Sequence, residues 1–259
     1  MKLKGYIVHV KTDYAREKHI KEQIKNLNID FTFVNDGDQT DLTMEIISKN
    51  FIDGLNRICG ETSCTYKHFL AYRDMIDNNI DYGIIFENDI FLDKNFEKSL
   101  FKAIDEIENA DISGAMGAED SPKSENIFLS LEDSYFKFVR GSERKKGQTV
   151  YKIDRNIYGR HYLSRCAGAY LVNLNCVKAM IKKLDTNKTG EIIDCFITTC
   201  AREKLIDIYW LHPTIATQGS RNGMISSMFS ERKVKYPLFL RRFYMFTQRY
   251  YKKALWSLR

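Results

Sequence analysis

The chain has 259 residues, 44% of them hydrophobic, and a formal net charge of +6. That length supports one sizeable core and leaves little for a second large domain, and three prolines with no Gly/Ser-rich or repetitive stretch offer no flexible linker. No segment approaches the roughly 20 apolar residues that span a bilayer, and the apolar run after Met1 is too short for a signal peptide, so a cytoplasmic chain that meets a membrane only at its surface is expected.

In chain order, Gly5 to Val10 is a β-branched apolar run, about Tyr14 to Leu27 has helical spacing at His19, Ile20, Gln23, Ile24 and Leu27, and Phe31-Thr32-Phe33-Val34 is again a strand candidate. Strand, helix and strand in that order predict a βαβ unit with parallel strands. Asn35-Asp36-Gly37-Asp38 breaks the pattern as a loop. Ser63 to Asn79 reads as the next helix. The six cysteines, Cys59, Cys64, Cys166, Cys176, Cys195 and Cys200, form no Cys-x-x-Cys knuckle, so their spacing does not suggest zinc and ordinary buried thiols are expected.

The most informative segment is Tyr82-Gly83-Ile84-Ile85-Phe86-Glu87-Asn88-Asp89-Ile90-Phe91-Leu92, an apolar run of the buried-strand kind that ends at acid. Ligands of open α/β sheets gather outside the carboxyl ends of strands, which puts Glu87 and Asp89 at the mouth of a site. A spacing of two aims both side chains to the same side of an extended segment. Hard oxygen ligands there suit Mg²⁺ or Mn²⁺ bridging to a diphosphate; the alternative is that both acids only close a turn.

Between about Glu119 and Ile157 the chain becomes polar and irregular, which predicts a loop or hairpin insertion above the strand ends, where a ligand would be recognised. Asp194 follows Ile192-Ile193 and opens a helical stretch from Cys195 to Lys204, so it is either a general base held by a helix N-terminus or an ordinary N-cap. His68, inside the predicted helix, either faces the site or fills the core. Glu61 precedes that helix and either caps it or holds a hydroxyl of a bound ligand, the donor if the resemblance given below holds. Arg221 offers a planar fork to a diphosphate, and Asn88 and Gln218 complete the candidate donor contacts.

Residues 231–259 carry one acidic residue, Glu231, among many Arg and Lys. After Pro237, Leu240, Phe243, Tyr244, Phe246, Tyr250, Tyr251 and Leu255 recur at mostly helical spacings. The pattern describes either a basic amphipathic helical tail lying on an anionic membrane surface or a helix packed on a domain of residues 1–230. No nucleic-acid motif accompanies the basic residues, and no nucleic-acid partner is expected.

Gly60-Glu61-Thr62-Ser63-Cys64-Thr65-Tyr66-Lys67-His68, then Ile84 to Ile90 with its acidic triplet, then Asn95-Phe96, resembles in order and spacing glycosyltransferase family 25, the lipooligosaccharide and lipopolysaccharide galactosyltransferases. Arg165 to Val172, Ile193-Asp194-Cys195-Phe196 and Leu211 to Gln218 continue the likeness over roughly residues 5 to 222. The resemblance implies a GT-A-like α/β nucleotide-binding domain with a mostly parallel central sheet. It also implies inverting transfer from a UDP-hexose, with UDP-galactose leading, to a lipooligosaccharide-type acceptor at the inner face of the bacterial inner membrane. Two positions depart from the family pattern: Asn88 stands in the middle of the triplet where Asp is usual, and Lys67 stands where Ser usually precedes the histidine. A non-catalytic nucleotide- or glycan-binding protein and a membrane-surface scaffold are the competing classes.

Overall fold

The computed structural model describes residues 1–109, 125–133, 145–153, 166–222, 224–225, 247 and 250. It opens with β1 (Leu3–Val8), α1 (Tyr14–Ile24) and β2 (Phe31–Val34), and β1 and β2 pair in parallel as the βαβ pattern requires. Asp13 starts α1 by accepting from the Arg16 amide, which satisfies one of the open donors of the first turn. After α2 (Met44–Asn50), α3 (Gly60–Asp77) leads into β3 (Tyr82–Glu87), parallel to the other side of β1.

A short β4 (Ile90–Leu92) and α4 (Phe96–Asn109) follow, then β5 (Ile127–Ser130), β6 (Val150–Lys152) and β7 (Ala169–Asn173). The chain continues through α5 (Leu174–Thr186), α6 (Ile193–Arg202), β8 (Asp207–Leu211), β9 (Ala216–Gln218) and the single turn α7 (Gly219–Asn222). Seven strands form one sheet in the order β2-β1-β3-β7-β5-β8-β6, and β4 pairs with β9 in a separate ribbon. β1, β2, β3, β5 and β8 run one way, while β7 and β6 run against them. This is the mostly parallel, GT-A-like α/β sheet that the resemblance implies.

Helices cover both faces. Along β1, Tyr6 and Val8 enter a core with α3, α5 and α6, whereas Ile7 enters a second core with α1 and α4, the period-two division of a strand buried on both sides. On α4 the residues Phe96, Leu100, Ala103, Ile104 and Ile107 lie on one stripe and are buried. Each large apolar side chain so buried contributes about 1.5–3 kcal/mol.

The structure corrects the reading of the polar stretch after Glu119. β5 lies between β7 and β8 inside the sheet, and β6 pairs with β8 rather than with β5, so these segments belong to the main sheet and not to a hairpin insertion. Residues 119–124, 134–144 and 154–157 of that stretch lie outside the described residues. So do residues 231–259 apart from Thr247 and Tyr250, and with them the amphipathic tail. No helix among the described residues is long and apolar enough to cross a membrane.

Candidate active site

The strands β1, β2, β3 and β5 all end at one edge of the sheet, and β7, running the other way, begins there: Phe86 near the end of β3 pairs with Ala169 at the start of β7. His9 emerges from β1 and is buried. Its Nδ1 accepts from Asn88 Nδ2 at 3.0 Å, and Arg16 Nη1 on α1 donates to Asn88 Oδ1 at 3.2 Å. Burial lowers the His9 pKa against the opposing charges of Glu17 and Asp13, which favours the neutral ring that accepts this bond. Asn88 therefore ties the β1 exit to α1 with both ends of its amide.

Glu87 is the last residue of β3, and Glu87 and Asp89 flank Asn88 as the spacing predicts. Glu87 Oε2 accepts from Gln218 Nε2 at 2.8 Å, and Cys64 Sγ donates to Glu87 Oε1 at 3.9 Å. Pairing of β4 with β9, in which Ile90 faces Gln218, is what carries Gln218 to this point. Asp89 is 2% exposed; its Oδ2 accepts from the Ser220 amide at 3.1 Å and its main-chain oxygen from Gly219 at 2.8 Å. Asp89 Oδ1 is buried and has no hydrogen-bond partner among the described residues.

α3 begins at Gly60 with Cys59 as its N-cap, so Glu61 lies within the first turn and not before the helix. His68, one turn after Cys64 on α3, is fully buried. Its Nδ1 meets the Tyr170 hydroxyl at 2.7 Å, which in turn meets the Tyr72 hydroxyl at 2.7 Å. Burial pushes the imidazole down to a pKa of about 3, so the ring is neutral at ordinary pH. Of the two readings of His68, the structure has it in the core, beneath Glu87 and Cys64, to which it is adjacent.

Asp194 lies in the first turn of α6, but the N-cap is Ile192, which makes no side-chain capping bond, so Asp194 is not the cap. Its Oδ1 accepts from the neighbouring Cys195 amide at 3.0 Å. The Cys64 thiol shows which acids converge: burial raises its pKa most, followed by the charges of Glu87, Asp194 and Asp89. Of these acids Glu87 is in contact with the thiol, while Asp194 and Asp89 act on it through their charge. Arg221 follows Ser220 in α7, and its side chain lies outside the described residues.

Two further features escaped the sequence reading. Glu132, just after β5, is fully buried and accepts from the Gly168 amide at 2.8 Å; the signal was available, because it too is an acid following a short apolar strand. Lys67 and Asp38 form a buried ion pair between α3 and the loop after β2.

A mostly parallel α/β sheet with carboxylates gathered at its strand ends defines the class as a GT-A-like protein. Residues 2–197 match the model of glycosyltransferase family 25 (LPS biosynthesis protein), and the chain belongs to that family. It is 33% identical over 201 residues to a provisionally named glycosyltransferase of Haemophilus influenzae strain Rd, covering 74% of this chain and 62% of that one. It is 23% identical over 183 residues to the lipooligosaccharide biosynthesis protein lic2B of Haemophilus influenzae, covering 68% of this chain and 61% of that one. The matches thus span about three-fifths of the length of these relatives.

Proposed function

We propose that the chain is an inverting glycosyltransferase that moves a hexose, galactose from UDP-galactose first among them, onto a lipooligosaccharide- or lipopolysaccharide-type acceptor. Membership of family 25 and the likeness to a lipooligosaccharide biosynthesis protein support the reaction class. The observation that carries the reading is Asp89, a buried carboxylate at a strand end whose Oδ1 no described group engages. Such an oxygen fits a hard divalent cation, Mn²⁺ or Mg²⁺, and Asp89 leads as its ligand. Glu87 adds an oxygen only by giving up Gln218 or Cys64.

The bound ion would offset charge on the departing diphosphate. Asp194 accepts the proton of the acceptor hydroxyl as that oxygen bonds to the anomeric carbon and the bond to UDP breaks. Gln218 orients Glu87, while we assign Glu61, Asn88 and Arg221 to donor binding. Residues 231–259, through their Arg, Lys and aromatic residues, hold the enzyme to the anionic inner face of the membrane. Removal of residues after 232 is expected to weaken binding to anionic vesicles while transfer to a soluble acceptor persists; equal vesicle binding by the truncated chain would remove the anchor from this reading.

Release of UDP from a panel of UDP-hexoses, with acceptor glycan, with and without Mn²⁺, tests the reaction for the wild type and for Asp89→Ala. Turnover of one UDP-hexose that requires both the ion and Asp89, with inverted anomeric configuration in the product, is expected. A folded protein silent across the panel would favour a non-catalytic binding protein, and metal-independent turnover would take Asp89 and Glu87 out of the ligand role.

A further inference from the structure

Beside Asp89, a second group of donor atoms converges. Cys64 and His68 are four residues apart on α3 and so share a helix face, and Glu87 closes β3 above them. One ligand atom from each of the three, sulfur, imidazole nitrogen and carboxylate oxygen, lies within 4.8 Å of the others. We infer that Cys64, His68 and Glu87 form a binding site for a thiophilic divalent cation of the Zn²⁺ type, adjoining the hard-ion position at Asp89 and drawing on the same Glu87.

Four observations converge on it. First, His68 Nε2 is buried and has no hydrogen-bond partner among the described residues, although the ring is held firmly by Tyr170 at Nδ1. In the tautomer whose Nδ1–H donates to Tyr170, Nε2 keeps a lone pair for a metal, and the Tyr170–Tyr72 pair would then hold the ring as outer-shell partners of metal-bound histidines do. Second, Glu87 keeps one oxygen toward Cys64 while Gln218 fixes the other, so the carboxylate is also oriented from outside the group. Third, Cys64 and Glu87 are each partly exposed, which leaves an entry path from the cleft.

Fourth, the charges balance. Binding replaces the thiol proton of Cys64, which leaves for solvent, and the resulting thiolate with the Glu87 carboxylate cancels the two charges of the cation. Metal–ligand bonds of about 2.0–2.3 Å place tetrahedral donors about 3.5 Å apart, so atoms lying within 4.8 Å of one another need to approach by at most about 1.3 Å. Thiolate and imidazole select Zn²⁺ over Mn²⁺ and Mg²⁺, and three protein ligands leave a fourth position for water or a substrate oxygen.

The inference does not depend on the transfer reaction, and its test reads the metal directly. Full-length protein freed of metal is titrated with Co²⁺, followed by its absorption. A thiolate-to-cobalt charge-transfer band with the visible bands of tetrahedral Co²⁺ is expected, displaced by one equivalent of Zn²⁺ and not by an equal amount of Mn²⁺. Cys64→Ser and His68→Gln should lose the band. Cys59→Ser should retain it, because that thiol is engaged with Thr62 one turn away. Thermal unfolding of each variant verifies the fold, and Cys64→Ser, which changes one atom, carries the test alone if His68→Gln does not fold. No charge-transfer band in the wild type, a band that survives Cys64→Ser or disappears in Cys59→Ser, or displacement by Mn²⁺ as effective as by Zn²⁺ would overturn the assignment.

Discussion

The ammonium of Lys67 stands 2.9 Å from an Asp38 carboxylate oxygen, with the two side chains only 1% and 8% exposed. It also donates to the main-chain oxygens of Val34 at 2.9 Å and Asn35 at 2.7 Å, so the ammonium is held by one carboxylate charge and two carbonyls. Asp38 in turn accepts from the Lys11 amide at 3.0 Å, and Ser63 donates to the Gly37 carbonyl at 2.7 Å. Gly37 holds a φ of +88° with the Tyr66 ring packed on it, a conformation that favours glycine. α3 therefore grips the loop after β2, and through Asp38 the segment after β1. Lys67→Met leaves Asp38 buried without its cation and is expected to lower stability by about 3–5 kcal/mol. Urea unfolding would measure this, and the double variant Lys67→Met/Asp38→Asn should recover part of the loss; an unchanged midpoint for the single variant would refute the grip.

Acid should act on the core through His68. Burial holds its pKa at about 3 against 6.5 in the ordinary imidazole, so the unfolded chain takes up a proton over a range in which the native chain does not. Stability accordingly falls as pH drops from about 6.5 to about 3, by on the order of 4 kcal/mol from this group. Unfolding measured across that range with a chelator present should show the slope in the wild type and a flatter profile in His68→Gln. Equal slopes would mean that the imidazole titrates freely.

Gly168 is where the backbone leaves room for the site. A Cβ on it would collide with the amide of Gln218, the group that holds Glu87. Gly168→Ala is expected to reduce transfer about tenfold or more, the cost of one hydrogen bond to a charged group. Gly54→Ala, where a Cβ meets nothing within 4 Å, is the comparison and should be neutral. Comparable rates in both variants would show that the contact of Gln218 with Glu87 is dispensable.

Asp194→Asn keeps the size of the side chain and removes its basicity. Loss of general-base action typically costs 10²–10⁴-fold, and the loss should appear in kcat with KM for the donor nearly constant. A change confined to KM would place Asp194 among the binding groups instead.

The first half of the fold was legible because its signals are local. Apolar runs at β1 and β3 mark strands, helical spacing marks α1 and α3, and the acid at the end of β3 marks the ligand edge. β5 and β6 were lost because each is only three or four residues long among polar neighbours, and what makes them strands is their pairing with β8 from some 60 to 80 residues later. Asp194 was one reading away from its place, since α6 starts with an uncapped Ile192 that no capping signal reveals. His68 was undecidable from its helix: Tyr170, 102 residues away in sequence, fixes it in the core. The pairing of Cys64 and His68 with Glu87 was equally invisible to cysteine spacing, because it joins a helix face to a strand end.

The reversed direction of β7 links the two acid-bearing strands on either side of it. Gly168 donates its N–H to the Glu132 side chain and accepts the Glu87 N–H on its carbonyl, at 2.8 Å in both cases. One residue without a side chain thus bridges the ends of β3 and β5, strands two spacings apart, roughly 9–10 Å. Separating either strand end from β7 would have to break one of these two hydrogen bonds, so Gly168 couples β3 to the segment after β5 without any side chain of its own.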